Sequence, residues 1–225
     1  MSKISGLIKS SGRGKTVRLF LDGKFAFSLQ EEVVLKEKLE VGMELSQLRI
    51  ASLQENNRYQ KCLDTALRLL SYRPRSEREI TMRLQQRGFN EKDIQAALSN
   101  LKRLGLIDDK DFARFWRDNR QSFNPRSRKM TERELRQKGV PLEIIEDEVS
   151  SIDDTTNAYR AALKYARNLH IADDYPGFRR RLGEYLRRRG FGYDVINATV
   201  TRLWNEREGG ESVDCSDAQS RSEGY

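Results

Sequence analysis

Leu84-Gln85-Gln86-Arg87-Gly88-Phe89, Leu135-Arg136-Gln137-Lys138-Gly139-Val140 and Leu186-Arg187-Arg188-Arg189-Gly190-Phe191 are three versions of one segment, each 51 residues beyond the last. The same register aligns Pro74, Pro125 and Pro176 upstream. Downstream it aligns Ile94, Ile145 and Ile196, then Leu98, Val149 and Val200, then Leu101, Ile152 and Leu203. Self-similarity at so long a period marks a repeated supersecondary unit.

Each shared position has a mechanical reason. A helix is expected to begin after the proline, with Ser76-Glu77-Arg78-Glu79 reading as a capping box in the first copy. Ile80 and Leu84 form its apolar face there, as do Phe178, Leu182 and Leu186 in the third copy. The glycine then stops it, because a residue at that position takes a left-handed backbone that only glycine adopts cheaply. A further helix follows, capped by Asn90 in the first copy and opened by Pro141 in the second. The unit's opening helix is marked by acids suited to a helix start: Asp108-Asp109 before Phe112, Phe115 and Trp116, and Asp153-Asp154 before Ala158, Ala161 and Tyr165. These acid pairs lie 45 residues apart rather than 51, so the second unit is expected to be shorter at its end and the third longer in its first helix. Three three-helix units follow, at 57–107, 108–152 and 153–205.

Before them, residues 1–56 read as strand-rich. Val17, Leu19 and Leu21 alternate with polar positions, Asp22-Gly23 supplies a tight turn, and Phe25, Phe27 and Leu29 resume the alternation. Ile4, Leu7 and Ile8 suggest a preceding strand, Val33 to Leu45 a short helix or loop, and a hairpin this small needs a helix or third strand on its apolar face. From Glu206 to Tyr225 apolar periodicity is lost and acids predominate, so a disordered tail is expected that shields the body or merely solubilises it. The expected fold is mainly α: three tandem three-helix repeats in an elongated, curved array, preceded by a small N-terminal β-hairpin segment and followed by the acidic tail.

Charge narrows the function. The formal net charge is +8, but the last twenty residues carry six acids and two bases, a net of −4, leaving +12 on the rest. Such a body is drawn to polyanions, either nucleic acid or acidic protein. The start of the chain lacks a signal peptide's apolar run and no stretch is long and apolar enough to cross a membrane, so a cytoplasmic location is expected. Cys62 and Cys215 make no motif, and His170 is the single histidine, which leaves little scope for a catalytic triad or zinc site. Ser11-Gly12-Arg13-Gly14-Lys15-Thr16 lacks the spacing of a phosphate-binding loop and precedes a strand. The two Asp pairs are explained by capping. Neither an enzyme nor a cofactor is expected.

The stretch Leu69-Leu70-Ser71-Tyr72-Arg73-Pro74-Arg75-Ser76-Glu77-Arg78-Glu79, with Leu84, Arg87-Gly88-Phe89 and Gly105-Leu106-Ile107-Asp108-Asp109 before Phe112-Ala113, resembles the signature of the RecX family. The second unit continues it through Asn124-Pro125-Arg126-Ser127, Glu134-Leu135, Lys138-Gly139-Val140 and Ile145; the third is looser, with Gly177-Phe178 where the others have Arg-Ser. The resemblance covers residues 57–205. It implies a cytoplasmic bacterial regulator that lies in the groove of the RecA–DNA filament and limits recombinase, ATPase and coprotease activities in recombination, repair and the SOS response. It also implies DNA binding of its own, without assigning contacts, because the matched residues are chiefly architectural.

The binding residues are therefore sought among the bases: Arg73, Arg75, Arg83, Arg87, Arg126, Arg128, Lys138, Arg187, Arg188 and Arg189. Arg75, Arg87, Arg126 and Lys138 recur at matching places beside turns and helix ends, and they are expected to be exposed on one continuous basic surface. The fallback is Arg179 to Arg181 with Arg187 to Arg189. Phe112, Phe115 and Trp116 fit core packing better than base stacking, which leaves Phe123 as the stacking candidate. The partners expected are the RecA filament and, more weakly, single- or double-stranded DNA, bound by a monomer. The rival reading is a helix-turn-helix DNA-binding protein, disfavoured because three divergent units offer no single recognition helix.

Overall fold

The computed structural model describes residues 1–10, 15–167 and 174–214, with side chains as far as Glu208. His170, Cys215, most of the Ser11–Thr16 stretch and the tail beyond Asp214 lie outside the described residues. The chain forms two compact units, Met1–Asp108 and Asp109–Tyr225.

In the first unit, β1 (Ser2–Lys9), β2 (Thr16–Leu21), β3 (Lys24–Gln30) and β4 (Glu44–Leu45) form an antiparallel sheet in the order β3-β2-β1-β4. The expected hairpin is β2–β3: Asp22 and Gly23 both have positive φ, 49° and 78°, as its two-residue turn requires. The preceding strand is present too, and α1 (Glu31–Lys36) and β4 resolve the stretch between Val33 and Leu45. Ile4, Leu19, Leu29, Val33 and Leu45 close a core against Leu53 of α2 (Gln47–Tyr72).

That helix corrects the boundary at residue 56, which falls inside it. Ser46 caps α2, its hydroxyl accepting from Arg49 N, and the first half of the helix supplies the apolar cover that the sheet needs. Asn57 is the polar joint between the two cores that α2 serves. It is buried, its Oδ1 accepting from Gln30 N at 2.8 Å and its Nδ2 donating to Ser28 O at 2.9 Å. Asn57→Leu strands both backbone groups away from water. We expect a loss of about 2–3 kcal/mol in the first unit's unfolding free energy, read by denaturant titration.

The second half of α2 packs with α3 (Glu77–Gln85) and α4 (Glu91–Arg103) around Cys62, Ala66, Ile80, Leu84, Ile94 and Leu98. Burial there pushes the Cys62 thiol up to about 11, as suits an inert core residue. In the second unit α5 (Asp109–Phe123), α6 (Arg128–Gln137) and α7 (Leu142–Ser150) enclose Phe112, Leu135, Ile145 and Val149. The third trio is α8 (Asp154–Ala166), α9 (Tyr175–Arg188) and α10 (Tyr193–Asp214), around Ala158, Ala162, Phe178, Leu182 and Val200.

The aligned glycines close their helices in one way. Gly88, Gly139 and Gly190 have φ of 81°, 78° and 88°, and the next residue donates back to Leu84 O, Leu135 O and Leu186 O respectively. Ser76, Asn90 and Asp153 cap as expected, accepting from Glu79 N, Asp93 N, and the backbone of Thr155 and Thr156.

Three expectations are corrected. The first helix of the third repeat is not the longer one: α8 ends at Ala166, with Arg167 as its C-cap, whereas α5 runs from Asp109 to Phe123, and residues 168–173 lie outside the described residues. Pro176 sits inside the first turn of α9 rather than before it, because Asp174 takes the cap that a serine supplies in the other two units. The tail does not begin at Glu206: α10 continues to Asp214, and Glu206 accepts from Arg202 Nε and from Tyr159 Oη, both at 2.8 Å.

Candidate polyanion-binding surface

Internal ion pairs remove several of the expected contact residues from consideration. Glu79 of α3 accepts from Arg73 Nη2 at 2.5 Å and from Arg75 Nη1 at 2.8 Å, while Arg75 Nε donates to Leu69 O at 2.9 Å. Only 12% of the Arg75 side chain is accessible, which corrects its expected exposure. Glu134 of α6 plays the same part in the second unit. It gathers Trp116 Nε1 and Arg120 Nε at 2.8 Å and Arg126 Nη1 at 2.9 Å. Lys138 is half-buried with its ammonium 5.2 Å from the Trp116 ring. Arg73, Arg75, Arg126 and Lys138 therefore hold turns and helix ends in place.

Most of the remaining candidates are uncommitted. Arg83 and Arg87 of the first unit are exposed with no carboxylate partner among the described residues, as are Arg187 and Arg188 of the second. Arg128 is exposed too, but its backbone N–H donates to Asp154 Oδ1 at 2.6 Å and its charge lies near that carboxylate. Arg189 is half-buried, its guanidinium 4.1 Å from the Tyr185 ring.

In the second unit the free cations converge. Lys129, Arg133 and Arg136 lie along one face of α6, and Arg187 of α9 faces them across a cleft of about 470 Å³. Arg187 also borders a second cleft of about 530 Å³, lined by Arg179 and Arg180 of α9 and by Tyr193 and Asn197 of α10. Among these, Arg136 pairs with Glu132 at 2.6 Å, and Arg179 makes only long bonds to Tyr193 and Asn197. Lys129, Arg133, Arg180 and Arg187 have no carboxylate partner among the described residues. Glu132 and Glu184 are the acids in the two linings, so the joined surface is strongly positive. Exposed cations lacking a pairing partner gain most from an external anion, because no internal bond must first be broken.

Half of this surface was in view from the sequence, as the fallback cluster on α9. Lys129 was not, although its spacing of four from Arg133 places both on one helical face. Among the described residues no three His, Cys, Asp or Glu side chains gather as a metal site would need, and no helix is long and apolar enough to cross a membrane.

Comparison with known proteins fits this architecture. Residues 62–101 match the family model described as "RecX, first three-helix domain", and residues 108–148 that of the second. The chain is similar to the regulatory protein RecX of Clostridium botulinum strain Eklund 17B, 28% identical over 91% of this chain and 98% of that one. It is 30% identical to that of Bacillus subtilis strain 168, over 92% of this chain and 78% of the relative. The chain belongs to the RecX family. The family's members regulate RecA, so this RecX-family chain is a regulator rather than an enzyme. A crystal structure of a regulatory protein RecX superposes with a TM-score of 0.63 at 25% identity, covering 88% of this chain and 98% of the other.

Proposed function

We propose that this chain restrains RecA in the cytoplasm by laying the α6–α9 face of its second unit along the RecA–DNA filament, without covalent chemistry. The observation that carries the reading is the group Lys129, Arg133, Arg180 and Arg187, exposed and unpaired around two joined clefts. A nucleoprotein filament presents anions at regular intervals, as DNA phosphates and as acidic side chains. A row of uncommitted cations is steered to such a partner from a distance and docks without giving up internal contacts. Occupation of the groove limits the recombinase, ATPase and coprotease functions together, since all three require the same filament. Binding to DNA alone is weaker and falls steeply with salt.

The test is RecA-catalysed ATP hydrolysis on single-stranded DNA, followed as this protein is added. The expected result is a dose-dependent fall in rate that is partly relieved as salt is raised. Hydrolysis unchanged at a large excess of the protein overturns the reading.

A further inference from the structure

A separate cleft in the second unit, of about 420 Å³, opens where the α5–α6 turn meets α8 and α9. Phe123, Asn124 and Pro125 line one side, and Lys164, Tyr165, Tyr185 and Arg189 the other. Three observations set it apart. Asn124 Oδ1, Arg126 Nε and Arg189 Nε are buried polar atoms without a hydrogen-bond partner; two of these residues line the cleft and the third adjoins Pro125. Its two cations, Lys164 and Arg189, have no carboxylate partner among the described residues, and the lining contains no acid. The cleft is also aromatic: Tyr165 and Tyr185 stack at 4.0 Å with 15° between their planes, Arg189 lies over Tyr185, and Phe123 is 71% exposed.

A ligand that uses both the two cations and the exposed Phe123 ring must be anionic and flat, and one that also carries an N–H can donate to Asn124 Oδ1. A carboxylate side chain uses the cations and leaves the Phe123 ring in water. A duplex presents phosphates but keeps its base faces stacked inside. A nucleotide in a single strand offers a phosphate and a free base face together, and the volume suits a unit of that size. We infer that this cleft binds one nucleotide of a single-stranded nucleic acid, the phosphate against Arg189 and Lys164 and the base against the ring of Phe123. Arg189 rests on the ring of Tyr185, which is itself stacked on Tyr165, and this holds the guanidinium in place before the strand arrives, which lowers the entropy cost of binding. Stacking on Phe123 and phosphate contact with Lys164 and Arg189 are open to any nucleotide, so DNA and RNA strands are both accepted. The inference rests on its own residues and does not depend on the α6–α9 face.

The test is anisotropy of three fluorescein-labelled probes, oligothymidylate, oligouridylate and an abasic DNA strand of equal length, with the full-length protein. Phe123→Ala is expected to weaken both base-carrying strands about tenfold and to leave the abasic strand unchanged. Lys164→Ala and Arg189→Met are expected to weaken all three, each with a shallower salt dependence. Phe123 and Lys164 lie at the surface, so their replacement leaves the fold intact by circular dichroism; if Arg189→Met does not fold, Lys164→Ala decides the phosphate half. Binding of oligothymidylate by Phe123→Ala at wild-type strength, or equal losses for base-carrying and abasic strands, overturns the base assignment. Wild-type binding by the folded cation variants overturns the phosphate assignment.

Discussion

Replacing Lys129, Arg133, Arg180 and Arg187 together by glutamate leaves the protein folded and abolishes its inhibition of RecA-catalysed ATP hydrolysis. None of the four side chains is buried and none has a carboxylate partner among the described residues, so no internal bond is lost. Glu at 129 falls in the first turn of α6, where a negative charge is favoured, and this offsets the small penalty of Glu at 187 in the last turn of α9. Four attractions become four repulsions. Like charges opposed across an interface cost several kcal/mol, so the apparent affinity for the filament should fall by at least about a hundredfold. Melting followed by circular dichroism checks the fold, and ATPase titrations at several salt concentrations check the function. A folded quadruple variant that inhibits as the wild type does at low salt moves the binding face off α6 and α9.

The choice of residues matters to that experiment. Arg75→Glu places a carboxylate beside Glu79, and Arg126→Glu places one beside Glu134, where Trp116 and Arg120 also converge. Both changes damage a half-buried cluster, so a loss of inhibition in either reports unfolding and not contact. The repeats single out these two arginines because they recur, but the recurrence reflects a shared structural role, in which each ties its turn to a glutamate on the following helix. The glutamates sit at different offsets, four residues on from Arg75 and eight on from Arg126, so the aligned sequences do not reveal the pairing. The helices, their caps and their closing glycines were legible because each depends on residues a few positions apart. The start of α2 was not, since Ile50 and Leu53 gain their meaning only from the sheet they cover. The aromatic cleft was half legible. The helical face of Phe112 and Trp116 set Phe123 aside as the one ring free to stack, whereas its partners Tyr165, Tyr185 and Arg189 come from a different repeat.

Gly190→Ala is expected to cost far more stability than Gly88→Ala, although the two glycines hold the same place in their repeats. Both have positive φ, 88° and 81°, and a side chain in that conformation costs about 1–2 kcal/mol by itself. At Gly88 that is the whole cost, because a Cβ there meets nothing within 4 Å. At Gly190 the new Cβ comes 2.6 Å from Ser127 Oγ and 2.8 Å from Met130 Cβ, closer than such atoms can sit. Neither neighbour can yield cheaply. Ser127 is fully buried, its hydroxyl caps α6 by accepting from Met130 N at 3.1 Å, and its own N–H donates to Arg189 O at 3.2 Å. Two further bonds fix the same helix start, from Arg128 N to Asp154 Oδ1 at 2.6 Å and from Asn157 Nδ2 to Arg126 O at 3.3 Å. The turn between α9 and α10 thus rests directly on the N-terminus of α6, and the close approach requires glycine. Overpacking a joint of this kind adds about 1–3 kcal/mol to the conformational cost. Gly88→Ala should therefore lower the unfolding free energy by about 1–2 kcal/mol and Gly190→Ala by about 3–4 kcal/mol, read by urea titration of each variant. Because the joint links the second and third repeats, the Gly190→Ala variant should also lose cooperativity between α6 and α9, seen as faster amide exchange in α9 and α10 than in α5 and α7. Equal losses for the two alanine variants would show that the α9–α10 turn stands off from α6.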